Sequence, residues 1–429
     1  MTENTKLSTE SYKGVRDFYP EDQVIQNYIF NVWKKTVRSF GYEEYNASIL
    51  ESSELYKQKS GEEIVNEQTY TFKDRGDREV TLRPEMTPTV ARMVAAKERE
   101  LSFPLRWFSI PNLFRYEKPQ KGRLREHWQL NVDLFGISGT NADAEIISVA
   151  YRILVKFGAK EDDFVIKINN RKIINSLYKQ FDLDEDKSYK LSKIIDKKDK
   201  IDSTSFEVAV SEILGERAQE FLRLLEANDR LLSSLGETSE GVKELVTTLE
   251  KLDKLGIKNV EFDPYLMRGF DYYTGFVFEV FDTSDENLRS IFGGGRYDDL
   301  LDIFEAKKIP SVGFGVGDVT TRDFLETHKL LPNPTPETQV YICTVKNEFV
   351  PDATVLADKL RADGVNVEVD ISDKKLGDQM KLANKKGIPF TICVGEDEVK
   401  SGIYKLKNMI SGEEKSLKVE ELAKAISNS

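Results

Sequence analysis

The sequence predicts a mixed α and β chain in three parts: a core of strand pairs and helices, a helical insertion within it, and a small α/β domain at the end. Three observations carry this reading. Hairpin-like strand pairs alternate with helical segments in the first part of the chain. Long, charged helical segments with few aromatics, among them ERAQEFLRLLEANDRLLSSL and EGVKELVTTLEKLDKL, fill about residues 172–255. Beyond them, VYICTV, VNVEVDI and FTICVG are strand-like runs separated by helical ones, the order that builds a largely parallel sheet. The proline-punctuated LLPNPTPE, residues 330–337, links residues 1–329 to residues 338–429.

In chain order, the first helix is read from Val24 to Phe40, where Ile25, Ile29, Val32, Trp33 and Val37 recur at helical spacing and Gly41 stops it. EQTYTFKDRGDREVTL, residues 67–82, reads as a hairpin turning at Asp74 to Asp77, and a helix starts near Thr87 or Pro88. Phe114 to Gly136 reads as two strands joined by a basic loop, in which Pro119 and Gly122 make the turn and Lys118, Lys121, Arg123 and Arg125 charge it. Strands return from Gly256 to Phe281, and a turn at Gly293 to Gly295 leads into PSVGFGVGD and a further helix. The glycines of GFGVG are read as close strand-to-helix packing, because a lone Gly-rich run is a poor nucleotide signal.

Composition narrows the function classes. With 429 residues, 39% hydrophobic and 32% charged, the chain reads as a globular protein of two or three domains. The polar start MTENTKLSTESYKG lacks an apolar signal region and no apolar run reaches membrane-spanning length, so a cytoplasmic protein without a membrane partner is expected. A net charge of −12 argues against nucleic-acid binding through overall charge; any RNA surface must be a local patch. Cys343 and Cys393 each sit in an apolar strand-like run and read as buried, unpaired thiols. The two histidines, His127 and His328, leave little room for a Ser/His/Asp arrangement, so chemistry falls to Arg, Glu, Asp, Tyr and bound ions. No metal-ligand set can be assigned from the sequence.

Three separated segments place charged or hydroxyl-bearing residues among apolar strand residues: RPEMT (Arg83 to Thr87), the basic hairpin with Arg115 and Glu117, and RGFDYYTGFVFEV (Arg268 to Val280). A planar, permanently charged guanidinium can hold two phosphate oxygens at once, so a hairpin presenting one beside a cationic loop is suited to gripping a phosphate.

Together these segments resemble the histidyl-tRNA synthetase family. The hairpin resembles motif 2 of class II aminoacyl-tRNA synthetases, RGFDYYTG resembles that family's histidine signature, and KGVRDFYPED, YTFKDRGDREVTLRPEMTPT, GGGRYDDL and KKLGDQMKLANKKGIPFTICVGEDE follow in the family's order. The resemblance implies an antiparallel sheet flanked by helices as an α+β catalytic domain over residues 1–329, with the helical insertion, and an α/β anticodon-binding domain over 338–429. It implies activation of histidine with ATP, transfer to histidine tRNA, and a homodimer. Arg115 and Arg268 would flank the α-phosphate, with Glu117, Arg123 and His127 completing the ATP site. Glu85, Thr87 and Gln129 would hold the histidine α-amino and carboxylate groups, and Asp133, Tyr272 and Tyr273 its imidazole. Asp133, alternating with Val132 and Leu134, is read as needing a bulge to share the side of Gln129. Mg²⁺ is expected with ATP, with Glu117 as the nearest candidate ligand.

Several positions depart from the family's pattern. Asp133 stands where many members carry Glu, and Ser48 where motif 1 usually has Pro. His127 occupies the position of the aromatic that commonly stacks on adenine. Thr320 stands where motif 3 carries its arginine, and Arg322, two residues along a helix, points about 200° away. The adenine clamp is therefore either rebuilt around an imidazole and another cation, or decayed. In the final domain Lys374, Lys381 and Lys385 are read as one helical face, an RNA-contact stripe. Two rival functions remain: a non-catalytic histidine-binding regulatory paralogue, which generally lacks the anticodon domain, and a class II synthetase for another amino acid, which RGFDYYTG disfavours.

Overall fold

In the computed structural model, which describes residues 7–57, 68–198, 201–236, 238–267, 272–287 and 289–427, the longest strand is β7 (Glu126–Phe135), and its two faces have opposite chemistry. Leu130, Val132 and Leu134 are fully buried and join a core with Ile25, Ile29, Trp33 and Val37 of α1 (Pro20–Ser39) and the apolar face of α4 (Thr140–Phe157). Gln129, Asn131 and Asp133 alternate with them and so point to the other side of the sheet. One strand thus divides the core from a polar cavity.

Around β7 a nine-stranded sheet runs in the order β1 (Glu43–Glu44), β5 (Leu105–Ser109), β7, β12 (Ser311–Gly317), β11 (Ser290–Arg296), β10 (Phe276–Asp282), β8 (Phe164–Asn170) and β9 (Val260–Phe262), with β6 (Asn112–Phe114) paired to β7. The inner pairings from β5 to β8 are antiparallel, and only the edge strands β1 and β9 pair in parallel. Helix α1 begins at Pro20, earlier than its apolar spacing indicated. Proline suits the first turn, and Glu21 and Asp22 complement the positive end of the helix. Strand β4 (Glu79–Leu82) lies between β3 (Tyr70–Lys73), its hairpin partner, and β2 (Leu50–Ser52), and α3 (Thr87–Ala96) follows. Among the described residues, six α-helices fill the stretch between β8 and β9: α5 (Arg171–Gln180), α6 (Glu185–Ile195), α7 (Ser203–Leu214), α8 (Ala218–Glu226), α9 (Asn228–Leu235) and α10 (Glu240–Lys254). Their buried Leu177, Phe221, Leu231 and Leu252 extend the same core.

The chain divides into two units, residues 1–331 and 332–429. The second unit holds a sheet in the order β14 (Val367–Val369), β13 (Val340–Thr344), β15 (Phe390–Val394), β16 (Ile403–Asn408) and β17 (Glu414–Lys418). The three strands read from the sequence are parallel; β16 and β17 add an antiparallel hairpin whose polar, lysine-rich strands carry little apolar signal. Cys343 and Cys393 face each other in register on β13 and β15 with both thiols free, and Cys393 is only partly buried. Helix α13 spans Leu376–Lys385, so Lys374 precedes it and the expected lysine face reduces to Lys381 and Lys385.

Candidate active site

Several stretches of the first unit meet around one cavity, which β11, Tyr297 and β12 also line. The turn between β4 and α3 supplies Glu85 and Thr87, the strand-to-loop junction after β6 supplies Arg115, β7 supplies Gln129, Asn131 and Asp133, and the approach to β10 supplies Tyr272 and Tyr273. No bulge is needed to bring Asp133 beside Gln129. Residues four apart on a strand already share a face, and the register of β7 against β12 is unbroken from Gln129 to Phe135. Arg268 lies outside the described residues.

At the closed end, Asp133 is almost fully buried, and its Oδ1 accepts a hydrogen bond from the Tyr297 hydroxyl. Its Oδ2 is buried with no hydrogen-bond partner among the described residues. Burial pushes the carboxyl up to about 7, against the lowering effects of the bond from Tyr297 and of the nearby Tyr45 hydroxyl. The rings of Tyr272, Tyr273 and Tyr297 pack together with centroids 4.9 to 6.3 Å apart, and the Tyr272 hydroxyl donates to Glu85 Oε2 at 3.4 Å. Tyr297 and Asn131 had been given no role from the sequence. Asn131 could have been found from the polar alternation of Gln129, Asn131 and Asp133, whereas Tyr297 reaches Asp133 only through the pairing of β11 with β12 and β12 with β7.

The floor is glycine, and this corrects the reading of GFGVG as strand-to-helix packing. A Cβ at Gly313 would lie 2.8 Å from Asp133 Oδ1, one at Gly315 2.8 Å from Gln129 Cδ, and one at Gly295 2.8 Å from Tyr273 Cδ1. Gly313 and Gly315 line the cavity, which exists because they carry no side chain.

Toward the open end, Arg115 Nε donates to the Pro84 carbonyl at 2.9 Å, which ties its guanidinium to the segment bearing Glu85 and Thr87. The other site residues expected on the hairpin loop and the start of β7 lie outside the cavity lining: Glu117 pairs with Arg123 at 3.3 Å, and His127 stands two positions before Gln129 on the same strand face. The His127 ring is pushed down to about 3, by burial first and then by the Arg115 and Arg16 cations, so it is a neutral imidazole at physiological pH.

Not every cation grouped in the sequence faces this site. Arg125 is buried, stacks on Tyr116 at 4.0 Å and donates to the Glu117 carbonyl and the Tyr12 hydroxyl, fastening the hairpin to the N-terminal segment. Arg83 is likewise structural, donating to the carbonyls of Ala47, Ser48 and Asn112 and to Asn112 Oδ1. Helix α11 (Asp318–Thr327) carries Thr320, whose hydroxyl donates to the Ile291 carbonyl at 2.6 Å, and Arg322, which pairs with Glu326 and Asp22.

Comparison with known proteins bears on what this cavity is. Residues 14–318 match the family described as Histidyl-tRNA synthetase, and residues 339–429 match the one described as Anticodon binding domain. The chain belongs to the histidyl-tRNA synthetase family. Among curated relatives, it is similar to the histidine–tRNA ligase of Leptospira biflexa, 45% identical over 95% of this chain and 94% of that protein. It is also similar to that of Thermoplasma volcanium, 36% identical over 97% and 98% of the two chains. Among solved structures, the apo histidyl-tRNA synthetase of S. aureus is 26% identical with a TM-score of 0.75, covering 98% of this chain and all of that one. A Bacillus halodurans structure described as an ATP phosphoribosyltransferase regulatory subunit/histidyl-tRNA synthetase is 26% identical with a TM-score of 0.72, over 87% of this chain and 94% of that one. For this synthetase-family chain, the antiparallel sheet flanked by helices is as the sequence led one to expect.

Proposed function

We propose that the chain is a histidine–tRNA ligase, which activates histidine with ATP to histidyl-adenylate and transfers it to the 3′ end of histidine tRNA. The observation that carries this reading is the closed end of the cavity, where the buried Asp133 carboxylate keeps Oδ2 without a hydrogen-bond partner among the described residues, beside Tyr272, Tyr273 and Tyr297. A site built to hydrogen-bond a ring nitrogen rejects amino acids that lack one. Asp133 Oδ2 accepts the imidazole N–H, and Tyr272 and Tyr273 wall the ring.

Nearer the opening, Glu85, Thr87 and Gln129 hold the α-amino and carboxylate groups of histidine, so that a carboxylate oxygen faces the α-phosphorus of ATP. That oxygen attacks, the bond from the α-phosphorus to the bridging oxygen of pyrophosphate breaks, and pyrophosphate leaves with its electron pair. Arg115, with Arg268, stabilises the charge that spreads over the phosphoryl oxygens, as fixed guanidiniums do without the reorganisation water requires. Glu117, Arg123 and His127 bind the rest of the nucleotide, with the neutral His127 ring presenting a flat face to adenine. Mg²⁺ is expected to arrive with ATP, and Glu117, whose Oε2 faces the Arg123 guanidinium at 3.3 Å, is the carboxylate we place beside it.

On this reading residues 1–329 form the catalytic domain with its insertion at about 172–255, residues 330–337 the linker and residues 338–429 the anticodon-binding domain. The protein works as a cytoplasmic homodimer, a state that sedimentation of the purified protein tests. A regulatory role is disfavoured by the anticodon-binding match over residues 339–429. The deciding experiment is ATP–pyrophosphate exchange with each amino acid in turn. Exchange driven by histidine and lost in Arg115→Ala is expected; a protein that binds histidine but exchanges with none would overturn the enzymatic reading.

A further inference from the structure

Thr320 and Arg322 leave the nucleotide side of the site without a cation from α11, since one spends its hydroxyl on a carbonyl and the other its charge on Asp22 and Glu326. A different guanidinium, outside the cavity lining, acts on the His127 ring. Arg16, in the segment before α1, is held on two sides: its Nη2 donates to Asp318 Oδ2 at 2.6 Å, and its Cζ lies 4.9 Å from the centroid of Phe18, whose ring meets Trp128 edge-on at 5.3 Å. Asp318 is itself fixed, because its side chain is fully buried and accepts from the Trp128 backbone N–H and from Gln26 Nε2, both at 3.0 Å. The anchor therefore rests on β7 one residue from His127.

Arg16 is not used up by these contacts. Its Nε is buried with no hydrogen-bond partner among the described residues, and leaving such a donor unmet is costly. A guanidinium engaged through one nitrogen keeps a fork of donors for an anion. Its charge also reaches His127 from the N-terminal segment while that of Arg115 reaches it from the hairpin, so the imidazole lies within the field of both cations.

We propose that Arg16 binds the β- and γ-phosphates of ATP, with Arg115 on the α-phosphate and the phosphates folded back so that the adenine on the His127 ring lies between the two guanidiniums. This rests on the adenylating function proposed above. Arg16 thereby takes the place of a cation on α11, and Asp318 aims it.

The test is ATP–pyrophosphate exchange by the full-length protein and its Arg16→Gln and Arg16→Lys variants, with AMP as competitor because it lacks the β- and γ-phosphates. For Arg16→Gln, KM for ATP is expected to rise about tenfold or more, as for loss of a charge-assisted contact. KM for histidine and the inhibition constant of AMP should stay within about twofold, and Arg16→Lys should fall between, since a point charge replaces part of the fork. An unchanged KM for ATP, or an equal loss of AMP and ATP binding, would overturn the assignment, the latter showing that Arg16 acts only through the local fold. If Arg16→Gln does not fold, Arg16→Lys carries the same ATP-against-AMP comparison. Wild-type protein without histidine-dependent exchange would bring down the functional reading and Arg16 with it, an outcome distinct from an active wild type and an indifferent variant.

Discussion

Asp133 sets two demands against each other: the carboxylate proposed to accept a bond from histidine is held where ionisation is disfavoured. Burial raises its folded-state pKa to about 7, from an unfolded value of about 3.9. Its contribution to ligand-free stability is therefore complete below about pH 4 and is lost as pH rises through about 7. Asp133→Asn removes the cost of ionisation, so the ligand-free variant should melt above wild type at about pH 8, with the gap closing toward about pH 5; calorimetry at the two values checks this. The same variant should lose histidine affinity by about tenfold or more, because an amide nitrogen or an amide oxygen replaces the free carboxylate oxygen. His127 poses the opposite case. With its ring pushed down to about 3, KM for ATP should show no inflection near pH 6.5 that His127→Phe abolishes; such an inflection would mean that the ring titrates.

At the scale of elements, β7 and β12 make the cavity between them, one by polar alternation and the other by lacking side chains. Gly315→Ala should push Gln129 aside, raising KM for histidine about tenfold while KM for ATP changes little, and costing about 1–3 kcal/mol of stability through overpacking. Equal effects on both substrates would mean that the glycine serves packing alone. Arg83→Met strands three backbone carbonyls and the Asn112 side-chain oxygen and should cost about 3 kcal/mol in denaturant unfolding. These elements were unequally legible. The odd-numbered polar residues of β7 were visible as a period of two, yet the glycines opposite them read as packing, because what a missing Cβ makes room for depends on the strand next to it. The cations from Lys118 to Arg125 read as one cluster, but Arg125 turns inward onto Tyr116 and Tyr12 while, among the described cations, it is Arg115 that enters the lining.

For the whole molecule, a net charge of −12 sets the terms on which it meets RNA. An acidic protein engages a polyanion only through local cationic patches, so releasing counterions from that patch makes affinity fall as salt rises. Charging of tRNA should weaken steeply between about 50 and about 200 mM salt, while histidine-dependent pyrophosphate exchange changes far less. A parallel loss of both would place the salt effect in the catalytic unit. The lysines available to such a patch in the second unit are fewer than the sequence suggested, since Lys374 falls before α13.

The sequence by itself determined the family, the order of elements, the separate α/β domain and most of the residues that gather around the cavity, because recurrence and ordered motifs are properties of the chain. Tertiary structure decided which of those residues share a space and with what. Tyr297 meets Asp133 across three strands, Gly313 and Gly315 become a floor only under Gln129 and Asp133, and Arg16 is held by Asp318, 302 residues away in the chain. Spacing along a chain records which face a residue presents. What stands opposite that face is settled when distant strands and helices pack.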